Sequence, residues 1–212
     1  MIAGVALAGV TGAGKSTIFD LLAASFAQRK DYSVCILRNR LMQNSGLMSL
    51  NSGSDRRAVF NYLHDRILAI KALSDLAREP SRDSERSRLA ILCESWGLNL
   101  LAELNLWLGK DFKTLDAIRA EAQIAIIHLK IMPDEILERS VLSTKKFRGT
   151  GWTNYLTTLG SDPGTQAKVF EERQDMISRY FEICQSPKLE VCTSRMAWPE
   201  YVTQIAAYFE DQ

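Results

Sequence analysis

Residues 9–16 read Gly-Val-Thr-Gly-Ala-Gly-Lys-Ser, so that glycine recurs at Gly9, Gly12 and Gly14 before Lys15 and Ser16. Glycine has no Cβ, and a loop with this spacing can wind tightly enough for consecutive backbone N–H groups to point at one anion. The lysine and the hydroxyl that end the stretch can add a positive charge and a Mg²⁺ ligand. The pattern G-x-x-x-x-G-K-[ST] therefore predicts a cradle for the phosphates of a nucleoside triphosphate.

The sequence on either side of this stretch has the pattern that such a cradle needs. Upstream, residues 2–8 are a short apolar run of the length expected for a buried parallel strand. Downstream, residues 17–29 carry apolar side chains at helical spacing, so the helix N-terminus would add its partial positive charge at the phosphates. The residues predicted to bind the nucleotide, ATP, are Gly9, Thr11, Gly12, Ala13, Gly14, Lys15, Ser16 and Thr17. Lys15 is also predicted to be catalytic, and Ser16 to be the Mg²⁺ ligand.

The bulk composition narrows the class of protein. With 212 residues and 46% hydrophobic content, the chain can bury a proper core, and we expect a single domain spanning 1–212. A net charge of +1 with interspersed acids and bases predicts a small anionic ligand rather than a nucleic-acid partner. No apolar run reaches the length of a membrane span and no signal segment begins the chain, so we expect a cytoplasmic protein without a membrane partner. The four cysteines are widely scattered, and we expect them to be reduced and buried.

Apolar runs alternate with segments of helical periodicity along the rest of the chain. The predicted strands are residues 2–8, 33–37, 89–93, 124–129 and 189–192. The predicted helices are residues 17–29, 57–76, 98–108, 114–122, 134–142, 166–184 and 198–209. This alternation predicts an α/β fold, with a five-stranded parallel sheet and helices on both faces. Residues 143–164, with four glycines, a proline and several bases, are predicted to form an irregular, mobile lid.

Two charged residues are candidates for catalysis, because ligands of parallel sheets bind beyond the carboxyl ends of the strands. Glu94 directly follows a predicted strand, where an acid can reach Mg²⁺ or its water shell, or can act as the base on an acceptor hydroxyl. Arg148, in the predicted lid with Lys145 and Lys146, can stabilise the transferring phosphoryl group. The alternatives are an ordinary loop acid and a solvated charge cluster.

Three further residues are candidates for holding the acceptor. Arg38 ends a predicted strand, and Arg66 lies on a predicted helix of the same side, so both could meet an anionic acceptor. Trp96 could stack on a ring-shaped acceptor. Surface arginines and a core aromatic residue are the alternatives. A stripe containing Leu104 and Trp107 is either part of the core or the face of a homodimer.

The element order and residues 9–17 resemble the thymidylate kinase-like branch of the P-loop nucleoside and nucleotide kinases, across nearly the whole chain. Asp65-Arg66 is similar to the Asp-Arg step on the family's acceptor-site helix, and residues 133–139 resemble the helix that leads to its lid. The resemblance implies a three-layer P-loop NTPase fold with an adenylate-kinase-like core, ATP as phosphoryl donor and a lid that carries arginine.

One departure from the family pattern concerns the acceptor. Where the family has an Asp-Arg-aromatic motif, this chain has Glu94-Ser95-Trp96. Loss of the arginine removes a charge-assisted pair of about 1.5–3 kcal/mol, so we do not expect thymidylate itself to be the acceptor.

The leading hypothesis is therefore an ATP-dependent phosphotransferase, which moves the γ-phosphate to the hydroxyl or phosphate of a nucleoside-like or nucleotide-like small molecule. The alternatives are a P-loop ATPase or switch, and a nucleotide-binding interaction protein without a small-molecule acceptor. The sequence contains neither an Asn-Lys-x-Asp guanine motif nor a Leu-Ser-Gly-Gly transporter signature, which disfavours GTPase switches and transporter ATPases.

Overall fold

The protein is described by a computed structural model that covers residues 2–38, 56–78, 88–95 and 97–211. The strands of these residues are β1 (Gly4–Ala8), β2 (Tyr32–Leu37), β3 (Arg88–Cys93), β4 (Ile124–Lys130) and β5 (Lys188–Cys192). Their helices are α1 (Lys15–Ala27), α2 (Arg56–Arg78), α3 (Leu98–Glu103), α4 (Lys110–Glu121), α5 (Ser143–Phe147), α6 (Thr150–Leu159), α7 (Pro163–Ile183) and α8 (Trp198–Asp211). A 3₁₀ turn (Pro133–Glu135) and a π-helical turn (Leu137–Leu142) precede α5.

The strands form one parallel sheet in the order β2-β3-β1-β4-β5. The first strand of the chain therefore lies at the centre, where Val5 is paired with Leu92 of β3 and with Ala125 of β4. The prediction of an α/β fold with a five-stranded parallel sheet is confirmed. The order also brings the carboxyl ends of β1 and β3 side by side.

Helices cover both faces of this sheet. All five residues of β1 are buried, and so is every residue of β4 except Lys130. Because successive side chains of a strand point to opposite faces, such continuous burial requires a helical layer on each side. Helices α1 and α8 pack together as one layer, whereas α2, α4 and α7 pack against β3 and β4 as the other.

Three segments differ from their predicted form. The helix predicted at 134–142 is a 3₁₀ turn (Pro133–Glu135) followed by a π-helical turn (Leu137–Leu142). The helix predicted to reach Leu108 ends at Glu103, because Asn105 adopts a φ of 48° and turns the chain. The segment 143–164 is not irregular, since it contains α5 and α6. Gly149, Gly151 and Gly160 lie at or near the ends of α6 and Gly164 lies in the first turn of α7, where glycine costs little stability, and Leu156 is fully buried.

Two further properties are settled within the described residues. None of their helices combines the length and the apolar character that a membrane span needs. The four cysteines are unpaired, and Cys93 and Cys184 are buried as expected, but Cys192 is exposed, because the last strand turns it away from the core.

Candidate functional site

The site begins with the loop of residues 9–14, called here the glycine loop, which connects the central strand β1 to α1. Gly12 and Gly14 have φ values of 84° and 85°, in the left-handed region that only glycine adopts without strain. A Cβ on Gly12 would lie 2.5 Å from the carbonyl oxygen of Arg139, and one on Gly14 would overlap the ring of Trp198. Both positions therefore require glycine for conformation and for space.

Lys15 follows the loop and folds back over it. Its ammonium Nζ donates hydrogen bonds to the carbonyl oxygens of Gly9, at 2.6 Å, and Val10, at 2.9 Å. Burial lowers the pKa of Lys15 to about 8, although Glu103 and Glu94 act in the opposite direction.

The N-terminus of α1 provides donors for an anion. Its first backbone N–H groups, those of Lys15, Ser16 and Thr17, have no intrahelical acceptor. No side chain of the described residues caps this end of the helix, and no acid lies in its first turn. The donor set and the helix dipole therefore suit a phosphate group.

Ser16 and Glu94 meet beside this helix end. The Ser16 hydroxyl donates to Oε1 of Glu94 at 2.8 Å, across 78 positions of sequence. Glu94 directly follows β3, the neighbour of β1, and its own N–H donates to Leu37 at 3.0 Å. A hydroxyl and a carboxylate oxygen at this separation are the hard oxygen ligands that Mg²⁺ prefers, directly or through water.

The glycine loop is held by three residues of other segments, which no sequence pattern indicates. The side chain of Asn99 makes two hydrogen bonds with the backbone of Gly9. It accepts from the Gly9 N–H at 3.4 Å and donates to the Gly9 carbonyl oxygen. From the π-helical turn, the Arg139 guanidinium donates to the carbonyl oxygen of Gly12 at 3.0 Å. The Ser140 hydroxyl donates to the carbonyl oxygen of Thr11 at 2.7 Å.

The glycine loop forms one end of a cleft of about 790 Å³, within the range of pockets that hold nucleotide-sized ligands. The cleft brings together most of the residues predicted to act in the site. Its predicted members are Thr11, Gly12, Gly14, Lys15, Ser16, Thr17, Arg38, Glu94 and Arg148. Gly9 and Ala13 are buried beneath the loop, where they shape its backbone.

The predicted arginines differ in their surroundings. Arg148 lies between α5 and α6 with its guanidinium 4.6 Å from the centre of the Trp152 ring, and it faces the cleft. Arg38 also lines the cleft, but it forms an ion pair with Asp20 on α1.

The remaining acceptor candidates are not brought into the cleft by the described residues. Arg66 donates to the backbone carbonyl of Ser95 at 3.1 Å, which connects α2 to the segment after β3, and it is not among the lining residues. Trp96 lies outside the described residues.

A second group of cleft residues comes from α3, α6 and α7. Glu103 on α3, Tyr155 on α6 and Arg173 on α7 line the same space, together with the rings of Trp152 and Phe170. Arg173 donates to the Tyr155 hydroxyl. Sequence periodicity indicated only that these residues belong to helices or to the lid, since their convergence depends on the packing of α7 against α3 and α6.

Comparison with known proteins gives a similarity of fold. No protein-family model and no curated protein matches this sequence. Among solved structures, the YorR protein from Bacillus subtilis, crystallised in complex with phosphorylated GDP, is similar with a TM-score of 0.57 and 11% identity. The alignment covers 98% of this chain and 95% of YorR. The structure of a protein named APE1195 is similar with a TM-score of 0.51 and 15% identity, over 99% of this chain and 96% of that one.

Proposed function

We propose that this protein is an ATP- and Mg²⁺-dependent phosphotransferase with a P-loop kinase fold, which moves the γ-phosphate to a nucleoside-like or nucleotide-like small molecule. The observation that carries the proposal is the contact of Ser16 with Glu94 at 2.8 Å, beside the Lys15 ammonium and in one cleft with Arg148. A hydroxyl, a carboxylate, an ammonium and a guanidinium in this arrangement match the needs of phosphoryl transfer, which is mainly positioning and charge stabilisation.

Each residue has a role that follows from its chemistry. The glycine loop and the first N–H groups of α1 would bind the triphosphate, and Lys15 would exchange its contacts with Gly9 and Val10 for phosphate oxygens. Ser16 and Glu94 would hold Mg²⁺, which, when bound, neutralises charge on the phosphates. Glu94 also lies where it could orient or deprotonate an acceptor hydroxyl.

The segment 143–164 would act as the lid in this proposal. Arg148 and its neighbours Gly149, Thr150 and Gly151 line the cleft, and an added Cβ on Gly149 or Gly151 would meet nothing within 4 Å. An arginine that closes over a water-excluded site would stabilise the transferring group more strongly than it could in water.

The proposal extends to the donor and to the branch of the superfamily. The cleft of about 790 Å³ lies within the size range of small-molecule sites. The fold shared with YorR, a protein crystallised with a phosphorylated nucleotide, is consistent with this use of the cleft. From the motif at residues 9–17 and the element order we propose ATP as donor and a resemblance to the thymidylate kinase-like branch, and from Ser95 an acceptor other than thymidylate.

The direct test is transfer of label from γ-labelled ATP with Mg²⁺ to separate pools of nucleosides, nucleoside monophosphates, sugars and amino alcohols. We expect label in one nucleoside or nucleotide pool, and loss of this transfer in Lys15→Ala. Lys168→Ala, at an exposed position of α7, is the matched control and should keep full activity.

Two results would count against the proposal. Phosphate released at the same rate in every tube, including the one without acceptor, would indicate an ATPase. Binding of ATP without any turnover would indicate a nucleotide-binding interaction protein.

A further inference from the structure

The wall of the cleft formed by α3, α6 and α7 carries one acidic and one basic side chain to which phosphate binding assigns no role. Glu103 and Arg173 both line the cleft, and Arg173 opposes the effect of burial on the pKa of the Glu103 carboxyl. Among the described residues, however, no ion pair joins them, and Glu103 has no basic side chain within ion-pair distance.

Glu103 is half-buried without a neutralising contact. Burial raises the pKa of its carboxyl, while Arg173 and Lys15 act in the opposite direction. A carboxylate withdrawn from water costs free energy unless hydrogen-bond donors reach it. A ligand with N–H groups would supply those donors.

Arg173 is held in a fixed orientation. Its Nη1 donates to the Tyr155 hydroxyl, and its guanidinium lies 5.8 Å from the centre of the Tyr155 ring and 5.6 Å from that of Phe170. One side of the guanidinium is thereby used, and the N–H groups on its other side remain for a ligand. A planar guanidinium binds best to two adjacent acceptor atoms, since it can donate to both at once.

Aromatic surfaces complete this part of the cleft. Trp152 and Tyr155 meet edge to face with ring centres 5.6 Å apart, and Phe170 also lines the cleft. Flat apolar surfaces beside a few directed polar groups are typical of sites for planar ring ligands.

We infer that Glu103 and Arg173 read the base of the phosphoryl acceptor, and that this base is an amino-oxo heterocycle, guanine or cytosine. This inference rests on the proposed function, because it assigns the acceptor of the same cleft. Guanine offers the adjacent acceptors O6 and N7 to a guanidinium, and its N1–H and amino group to a carboxylate. Cytosine offers N3 and O2 to the guanidinium, and its amino group to the carboxylate.

The other two bases fit the pair less well. Thymine presents two carbonyl oxygens separated by an N–H, so a guanidinium could not engage two adjacent acceptors. Adenine has an amino group flanked by single ring nitrogens, which gives the guanidinium only one acceptor on either side. When such a base covers the two side chains, part of their hydrogen-bonding capacity would stay unsatisfied, and polar groups that a ligand buries without a partner are what rejects a near-isosteric ligand.

The test is direct binding, measured by titration calorimetry, of the guanine, cytosine, adenine and thymine nucleosides and their 5′-monophosphates to the full chain. We expect the best guanine or cytosine compound to bind at least about tenfold more tightly than the best adenine or thymine compound. Glu103→Gln and Arg173→Lys should each reduce this ratio by about tenfold, while the thermal midpoint stays near that of the unmodified protein. Glu172→Gln and Arg179→Lys, at exposed positions of the same α7, should leave the ratio unchanged.

The inference would be overturned if all four bases bound equally, if adenine or thymine were preferred, or if none bound. It would also be overturned if the affinity ratio were unchanged in both Glu103→Gln and Arg173→Lys. The label-transfer experiment tests the proposed function independently of this base assignment. Selective binding without label transfer would retain the base assignment and remove the kinase. Label transfer to a sugar, an amino alcohol or a thymine compound would retain the kinase and remove the base assignment.

Discussion

Lys15 lies where the glycine loop becomes α1, with its ammonium on the carbonyl oxygens of Gly9 and Val10. In the proposed function this side chain attracts phosphate only while it is charged, and burial lowers its pKa to about 8. Its charge therefore depends on pH in a range that solution experiments reach easily.

We expect ATP affinity to fall as the pH rises through about 8. Below that pH Lys15 is protonated and binding needs no proton uptake, whereas above it each binding event must first protonate the amine. The dissociation constant should therefore rise by up to about tenfold per pH unit. Titration calorimetry from pH 7.5 to 9.5 measures this, because the triphosphate is already ionised there.

Lys15→Arg is the control for this titration, because a guanidinium keeps its charge throughout the range. Its affinity should be flat with pH, whatever its absolute value. A flat profile in the unmodified protein would mean that the proton on Lys15 is not needed for binding.

The contact of Glu94 with Ser16 is compatible with two roles, a Mg²⁺ ligand and a base. Glu94→Gln keeps the shape of the side chain and removes its charge. We expect turnover to fall by about 10²–10⁴-fold, with ATP affinity in the absence of Mg²⁺ unchanged.

The Mg²⁺ dependence of this variant separates the two roles. If the loss persists at saturating Mg²⁺, Glu94 acts as the base, whereas a raised Mg²⁺ requirement with recovered turnover identifies a metal ligand. Full activity with normal Mg²⁺ dependence would show that Glu94 acts neither as the base nor as a metal ligand.

At the scale of elements, the π-helical turn is the feature that fixes the glycine loop. Its wider winding directs Arg139 and Ser140 to the carbonyl oxygens of Gly12 and Thr11, and Arg139 also donates to the Thr193 carbonyl at 2.8 Å. Such turns recur at functional sites because they shift side chains out of the α-helical register.

Arg139→Met should lower the free energy of unfolding by about 2–4 kcal/mol. Two backbone carbonyls lose charge-assisted hydrogen bonds of about 1.5–3 kcal/mol each, and apolar packing of the methionine side chain offsets part of this loss. Ser140→Ala should cost about 1 kcal/mol. Urea denaturation measures both, and both variants should also bind ATP more weakly.

Arg139→Lys is the informative comparison, since one ammonium cannot replace a guanidinium that contacts Gly12 and Thr193 together. We expect it to recover part of the stability and little of the ATP affinity. A variant at Arg139 that binds ATP normally would show that the turn supports the fold without positioning the loop.

Strands and helices were predictable to different degrees. Strands β1 and β4 are mainly apolar runs, and β4 was expected at 124–129 and lies at Ile124–Lys130. Helix α6 escaped prediction because glycine and threonine are weak helix formers, and its stability comes from burying Leu156. The glycine loop could be read locally, whereas the convergence of Asn99, Arg139 and Glu103 on the cleft depends on packing between elements far apart in sequence.

At the scale of the whole molecule, β1 is the hub of the sheet. It pairs with β3 on one side and β4 on the other, and the glycine loop at its carboxyl end touches segments near residues 99, 139 and 198. A ligand held by this loop is therefore connected to both helical layers, and its binding free energy should appear as global stability.

We expect ATP with Mg²⁺ at about one hundred times its dissociation constant to stabilise the protein by about 2.7 kcal/mol. For a chain of this size the midpoint of thermal unfolding should rise by about 5–10 °C. Differential scanning calorimetry measures the shift, and Lys15→Ala should abolish it. A loop that unfolds independently of the sheet would give no shift despite binding.

The contact between Trp198 and Gly14 has a consequence for synthesis. The glycine loop is translated nearly two hundred residues before the indole that packs against it. A nascent chain that has made β1 and α1 lacks β3, β4 and this indole, so we expect it to have no working nucleotide site. Competence to bind should therefore arrive in one step, only after the segment that carries Trp198 has been synthesised.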